Sequence, residues 1–295
     1  MNSSNYMLLN RVFSRNIFKN LIEGKSEETY ISAIRRYIND PEGKNNLQLI
    51  SEIYQTLNEE YRNEYYYKNT LLNKLLMGVH SPRTTTALTE VPVFKSKADF
   101  ILINGKAVVY EIKTELDNFD RLDTQIEDYY KAFNHVVVVT SESNFIAIEK
   151  KLSNSKVGIY TLNSRNCISK KKNPIKNNEY LDLKVIFKVL RKNEYETILM
   201  IHYGYLPQVS QFNYYKTCLQ MFCNIDKDLA YKLFLQELKK RNRIDTDLFI
   251  KIPYELKSLF YFSDFKKEDY YNLNNFLKQN WGGENVFSIS KGEAV

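Results

Sequence analysis

Apolar positions recur along this chain with two different periods, and the change of period divides it. From Tyr6 to Ile22, Ser26 to Ile38 and Asn45 to Met77 the spacing is helical, and Ser26 with Glu27 and Glu28 makes a helix start. Around Thr89 the pattern becomes strand-like. Thr89 to Phe94 reads as a first strand, and Lys97 to Ile103 and Lys106 to Lys113 flank an Asn104-Gly105 turn as a hairpin. A helical stripe follows from Asp117 through Phe119, Leu122, Ile126, Tyr130 and Phe133. His135 to Thr140 is a β-branched run suited to a buried parallel strand, Asn144 to Leu152 is helical, and Lys156 to Leu162 is a short strand. The expected core order is therefore strand, strand, strand, helix, strand, helix, strand.

Beyond this core the strand pattern disappears. Residues 165–179 hold Lys170, Lys171, Lys172, Pro174 and Lys176 and read as a solvated basic linker. Helices are expected near 180–191, 193–203, 210–222, 226–241, 247–262 and 267–279, and the tail after Trp281-Gly282-Gly283 as loosely held. The organisation this predicts is an N-terminal helical region over 1–78, whose end joins the core, a core over 79–164, the linker, and a helical C-terminal region over 180–295. The fold class is α/β, a mixed sheet flanked by helices.

Composition adds bounds rather than identity. With 295 residues, 43% hydrophobic and 26% charged, the chain is long enough for one elaborated domain or two small ones. No stretch reaches the length that spans a bilayer. Cys167, Cys218 and Cys223 form no paired motif, which argues against a disulfide framework or a zinc site and for a cytoplasmic setting. The net charge of +7 suits a polyanionic partner, because Lys and Arg contacts to phosphate supply most non-specific nucleic-acid affinity.

The candidate chemistry lies in the hairpin. Asp99 is followed by Glu111-Ile112-Lys113, with Gln125 and Tyr129 four apart on the next helix. Glu-x-Lys alone is a poor signal, since it recurs at Glu23, Glu42, Glu149, Glu237 and Glu255, but only the copy at Glu111 closes a strand. Glu111 and Lys113 leave one face of that strand. A hard cation such as Mg²⁺ takes oxygen ligands and keeps several waters, so Asp99, Glu111 and the Ile112 carbonyl fit its needs, and neighbouring carboxylates without a cation would repel. Phosphodiester hydrolysis needs such a cation, an activated water and stabilisation of the leaving oxygen.

The segment from about Glu90 to Leu162 resembles the catalytic core of the PD-(D/E)XK nuclease superfamily, the restriction-endonuclease-like fold, and most of all a bacterial and phage branch. The resemblance rests on Glu90-Val91-Pro92-Val93, Lys97-Ala98-Asp99, Tyr110-Glu111-Ile112-Lys113, Asp117, Asp120-Arg121-Leu122 and Gln125 with Tyr129. It implies a nuclease dependent on Mg²⁺ or Mn²⁺ and acting on nucleic acid, DNA first, in defence, repair or recombination. By this resemblance Asp99, Glu111 and Lys113 bind metal and activate water, Glu90 completes the metal site, and Gln125 and Tyr129 join the catalytic set by steadying the site or touching DNA. Ala98 replaces the usual proline. The earlier glutamate more often sits on the first helix, so Glu59, Glu60 and Glu64 compete with Glu90. Superfamily members often cut duplexes as dimers, which admits a homodimer here.

Plainer readings stand beside these. Asp99 can cap a strand, Glu111 and Lys113 can be an ion pair, and Asp117 and Asp120 suit a helix N-terminus. Arg121, Lys170, Lys171 and Lys172 are candidates to contact nucleic acid or plain solvated cations; Lys239, Lys240, Arg241 and Arg243, and Lys266 and Lys267 beside Tyr270 and Tyr271, are candidates for a single strand. The alternative function is a non-catalytic module that binds nucleic acid or protein with this fold. The catalytic reading carries one necessary condition. A strict two-residue turn at Asn104-Gly105 would put Asp99 and Glu111 on opposite faces, so a metal site requires a three-residue loop or a β-bulge.

Overall fold

The structure, a computed structural model, describes residues 3–242 and 244–282. Five helices come first: α1 (Ser3–Val12), α2 (Arg15–Ile22), α3 (Glu28–Tyr37), α4 (Asn46–Glu60) and α5 (Glu64–Leu71), the last running into a π-helical turn, Leu72–Met77. Then come β1 (Thr86–Val93), β2 (Ser96–Asn104), β3 (Lys106–Lys113), α6 (Leu122–Tyr130), β4 (Val136–Ser141), α7 (Phe145–Leu152), β5 (Gly158–Leu162) and β6 (Ile168–Lys172). Helices α8 (Leu183–Val189), α9 (Lys192–Tyr203), α10 (Gln211–Cys223), α11 (Lys227–Lys239), α12 (Thr246–Phe249), α13 (Lys257–Phe262) and α14 (Lys267–Lys278) close the described chain.

These elements form two compact units, Lys74–Arg243 and Met1–Asn73 with Ile244–Val295. The first is built on a six-stranded mixed sheet in the order β1-β2-β3-β4-β5-β6. β1, β2 and β3 run antiparallel, β4 and β5 are parallel to β3, and β6 turns back antiparallel to β5. Every residue of β4 is buried, as a parallel strand with covered faces requires. The parallel steps from β3 to β4 and from β4 to β5 are bridged by α6 and α7. α6 lays Leu122 and Ile126 into a core that also holds Val109, Val138, Phe133 and Phe187. Gly158 begins β5 where a Cβ would lie 2.8 Å from Pro174, so only glycine fits.

Two expectations are corrected here. The basic stretch in 165–179 is not a linker through and through, because Ile168–Lys172 pairs with β5 as the edge of the sheet. A charged edge strand carries no apolar alternation and resists pairing with another chain, so its composition imitates a linker. The helices expected from 180 onward do not form one body either. α8 packs on β1 and α11 on β2, while α14 packs on α2 and α4, and α13 on α5. In that second unit the backbone of Lys44 to Asn46 is tied to residues 279–281, through Asn46 N–H to Gln279 O at 2.9 Å and Trp281 N–H to Lys44 O at 2.9 Å.

Helix boundaries moved where local chemistry intervenes. The long stretch Asn45 to Met77 breaks after Glu60, where Asn63 caps a new helix by accepting from Tyr66 N–H. The expected helix over 247–262 splits at Pro253, which cannot supply a helical amide. The tail after Gly282 and Arg243 lie outside the described residues.

Candidate functional site

The site is set by the β2–β3 loop. Ile103 pairs with Ala107 and Asn104 with Lys106, leaving Gly105 at the apex with φ +72. Three residues therefore separate the pair Ile103 and Ala107, the first of the two devices that the chemistry requires. Continued one step past Phe100 and Tyr110, this register puts Asp99 opposite Glu111 on one face. Asp99 Oδ2 accepts from the Ile112 amide at 2.8 Å. The Val109 amide points the other way, to His135 O on the β4 side, at 2.9 Å. Strand alternation then turns the Ile112 carbonyl to the Asp99 side as well.

Glu111 is 1% exposed and Lys113 is 9% exposed, which makes their partners decisive. Lys113 Nζ donates to Glu111 Oε1 at 2.8 Å and to Gln125 Oε1 at 2.9 Å. The Tyr129 hydroxyl lies 2.6 Å from Glu111 Oε2 and 2.9 Å from the Lys97 carbonyl. It has one proton, and the shorter contact to a charged oxygen takes it first. Burial, then the Glu111 and Asp99 carboxylates, push the phenol far above its usual range, so it remains a donor. All five residues read from the sequence as catalytic, Asp99, Glu111, Lys113, Gln125 and Tyr129, are thus brought together. α6 supplies the last two because its buried stripe of Leu122 and Ile126 packs on the sheet and leaves Gln125 and Tyr129 beside Glu111 and Lys113.

Glu90 joins from β1, mid-strand rather than at its start. The β1–β2 register places it opposite Asp99, and the two carboxylates offer oxygens within 4.8 Å of one another. Its φ of +55 is left-handed, a conformation that costs a non-glycine residue about 1–3 kcal/mol. Its carboxylate also pairs with Lys97. Glu59, Glu60 and Glu64 lie on α4 and α5 of the other unit. Asp99, Glu111, Glu90 and the Ile112 carbonyl are all hard oxygen donors, the kind a Mg²⁺ site uses.

A family described as bacteriophage P4 protein cII matches residues 57–259. The chain belongs to that family. Protein cII of Enterobacteria phage P4 is 28% identical over 105 residues, 35% of this chain and 36% of the phage protein. The alignment thus spans about a third of that relative's own length. A protein of unknown function from Silicibacter pomeroyi matches 41% of the chain and 82% of its own length, with a TM-score of 0.28 and 12% identity.

In this P4 cII-family chain the remaining sequence candidates divide. Arg121 is exposed immediately before α6. Lys170 lies over the Tyr160 ring at 5.8 Å and Lys171 over the Phe145 ring at 5.6 Å. Lys172 is used internally, donating to Leu152 O and Ser155 O, both at 2.7 Å, to close the end of α7. Arg241 is also internal, forked onto Glu194 at 2.7 and 2.6 Å. Tyr270 is buried in its unit. Asp117 accepts from Thr114 N–H and Oγ1 in a turn before α6 instead of capping it, because α6 starts only at Leu122.

Sequence reading missed two threonines. Thr140 and Thr161 continue the row of Lys113 across β4 and β5, both fully buried, and neither hydroxyl has a partner among the described residues. In the sequence both look like ordinary β-branched strand residues. The missing signal was register, which places them beside Lys113 at the carboxyl ends of the parallel strands.

Proposed function

We propose that this chain is a divalent-metal-dependent nuclease acting on nucleic acid, DNA in the first instance, in the life of a phage or mobile element and in the cytoplasm. The observation that carries the reading is the convergence of Asp99, Glu111 and Lys113 on one face of the hairpin, with Glu111 and Lys113 buried and each braced from α6. Asp99, Glu111 and the Ile112 carbonyl would hold Mg²⁺ or Mn²⁺, with Glu90 beside them. A cation bound there neutralises phosphoryl charge and makes a water more acidic.

The chain's own residues do the rest. The Lys113 ammonium has three protons, of which Glu111 and Gln125 take two. The third is left for a water or a phosphate oxygen, where it orients the nucleophile or offsets developing charge. Tyr129 and Gln125 are positioning residues that fix Glu111 and Lys113 and touch no substrate in this mechanism. The family's phage description fits the phage or mobile-element setting, and the role proposed within it, by the nuclease resemblance, is defence, repair or recombination.

One observation favours the second reading. Both Glu111 oxygens are already satisfied within the chain, as a purely structural network would have them. A binding module with this fold needs nothing more. Cleavage of labelled single-stranded, double-stranded and branched DNA, and of RNA, with Mg²⁺, Mn²⁺ or EDTA separates the two. The nuclease reading expects metal-dependent cutting by the wild type that Asp99→Ala and Lys113→Ala both reduce at least about hundredfold, the size of a lost transition-state contact. Binding without cutting on every substrate would favour the module.

A further inference from the structure

At the other end of β3 lies a cavity of about 580 Å³. Lys106 stands five residues from Glu111 on the same strand, about 17 Å away at strand rise, so this is a different place from the carboxylate site. The volume falls in the range of small-molecule pockets rather than of a bare ion.

Its floor is polar and buried. Asn134, His135 and Tyr231 line it, at 4%, 8% and 8% exposure. Tyr231 donates its hydroxyl to Asn134 Oδ1 at 2.9 Å, and Asn134 Nδ2 donates to Asn178 Oδ1 at 2.9 Å. His135 Nδ1 lies 2.7 Å from the same Asn134 Oδ1 and must donate to it. That leaves His135 Nε2 without a partner among the described residues, on a side chain that lines the cavity.

Its rim is cationic. Lys106, Lys176, Lys232 and Lys239 surround it, against the single carboxylate of Asp228. Among the described residues none of these four ammonium groups has an ion pair or a hydrogen bond, whereas lysines elsewhere do, such as Lys131, Lys151 and Lys156. Unpaired like charges gathered around a concavity raise the local potential and favour an anion with several charges. Ile103 and Leu235 add an apolar wall. Lysine is a strong phosphate binder that acts as a point charge.

We propose that this cavity binds a compact polyphosphate anion of nucleotide size, its phosphates on Lys106, Lys176, Lys232 and Lys239 and a hydroxyl or amino donor of the ligand at His135 Nε2, which can only accept while Nδ1 carries the proton. The shared chemistry is clustered phosphate, whose source is either a free nucleotide or the backbone of a nucleic-acid strand. The site stands independently of the nuclease reading.

Calorimetric titration of the full chain with inorganic triphosphate and with adenosine triphosphate, in EDTA and low salt, tests it. The wild type should bind one equivalent saturably. The double variant Lys106→Glu with Lys232→Glu should bind at least about tenfold more weakly, since each lost charge-assisted contact is worth about that factor. Asp99→Ala should bind as the wild type does, which separates this site from the nuclease reading. Both lysines are exposed, and a circular-dichroism spectrum matching the wild type confirms that the variant is folded. Displacement by an unphosphorylated oligothymidine identifies strand backbone as the source, and its failure identifies free nucleotide. No saturable binding by the wild type, or equal binding by the folded double variant, overturns the proposal.

Discussion

At the scale of single residues, the hydrogen bonds around Glu111 decide most. Tyr129→Phe removes the donor 2.6 Å from Glu111 Oε2 and leaves that buried oxygen unsatisfied, at a cost of about 1–3 kcal/mol in stability. Thermal unfolding should show the loss, and Mn²⁺ should restore part of it, because a cation bound by the same carboxylate replaces the missing partner. An equal deficit with and without Mn²⁺ would mean that Glu111 is not a ligand. His135 supplies a second test. Burial, then the nearby Lys106 and Lys176, lower its pKa to about 4. With the folded value below the unfolded one, neutral His135 contributes stability that is complete above pH 6.5 and lost as the pH falls from there toward 4, on the order of 1–3 kcal/mol. Urea unfolding of wild type and His135→Gln across that window should show the wild type losing more, and parallel curves would refute the assignment.

At the scale of elements, the hairpin was legible because everything it needs is local. Lys106 to Lys113 gives β3 its observed bounds, and the chemistry demanded either a three-residue loop or a β-bulge, of which the loop around Gly105 is the one formed. The start of α6 was less legible, since Phe119 fits the helical stripe yet Asp117 closes a turn on Thr114 first. β6 was illegible for a physical reason. An edge strand needs only one apolar face at most, and Lys170, Lys171 and Lys172 spend their stems on Tyr160, Phe145 and the end of α7. Gly158 fixes where that segment lies against β5. Gly158→Ala puts a methyl 2.8 Å from Pro174 and 3.0 Å from Val137, and should cost about 1–3 kcal/mol by overpacking. A denaturation midpoint unchanged from wild type would show that residues 174 and 158 are not in close contact.

At the scale of the whole molecule, the mixed sheet flanked by helices was readable from hydrophobic period alone, but the division of the chain was not. Helices α12 to α14 belong with the N-terminal helices, through contacts such as the Lys19–Asp269 ion pair at 2.5 Å, whose partners are 250 residues apart. Local patterning carries no record of such a pairing. The threonines at 140 and 161 and the lysine-rimmed cavity were hidden for the same reason, being products of register and topology. Among the described residues no helix is long and apolar enough to cross a membrane.

The central claim is that Asp99 and Glu111 form a cation site, and it can be tested without knowing the substrate. Calorimetric titration of Mn²⁺ into wild type, Asp99→Asn and Glu111→Gln reads the site directly. The account predicts saturable binding by the wild type, weakened at least about tenfold by either substitution, a loss of about 1.4 kcal/mol or more. No saturable binding by the wild type, or binding unchanged in both variants, would contradict it.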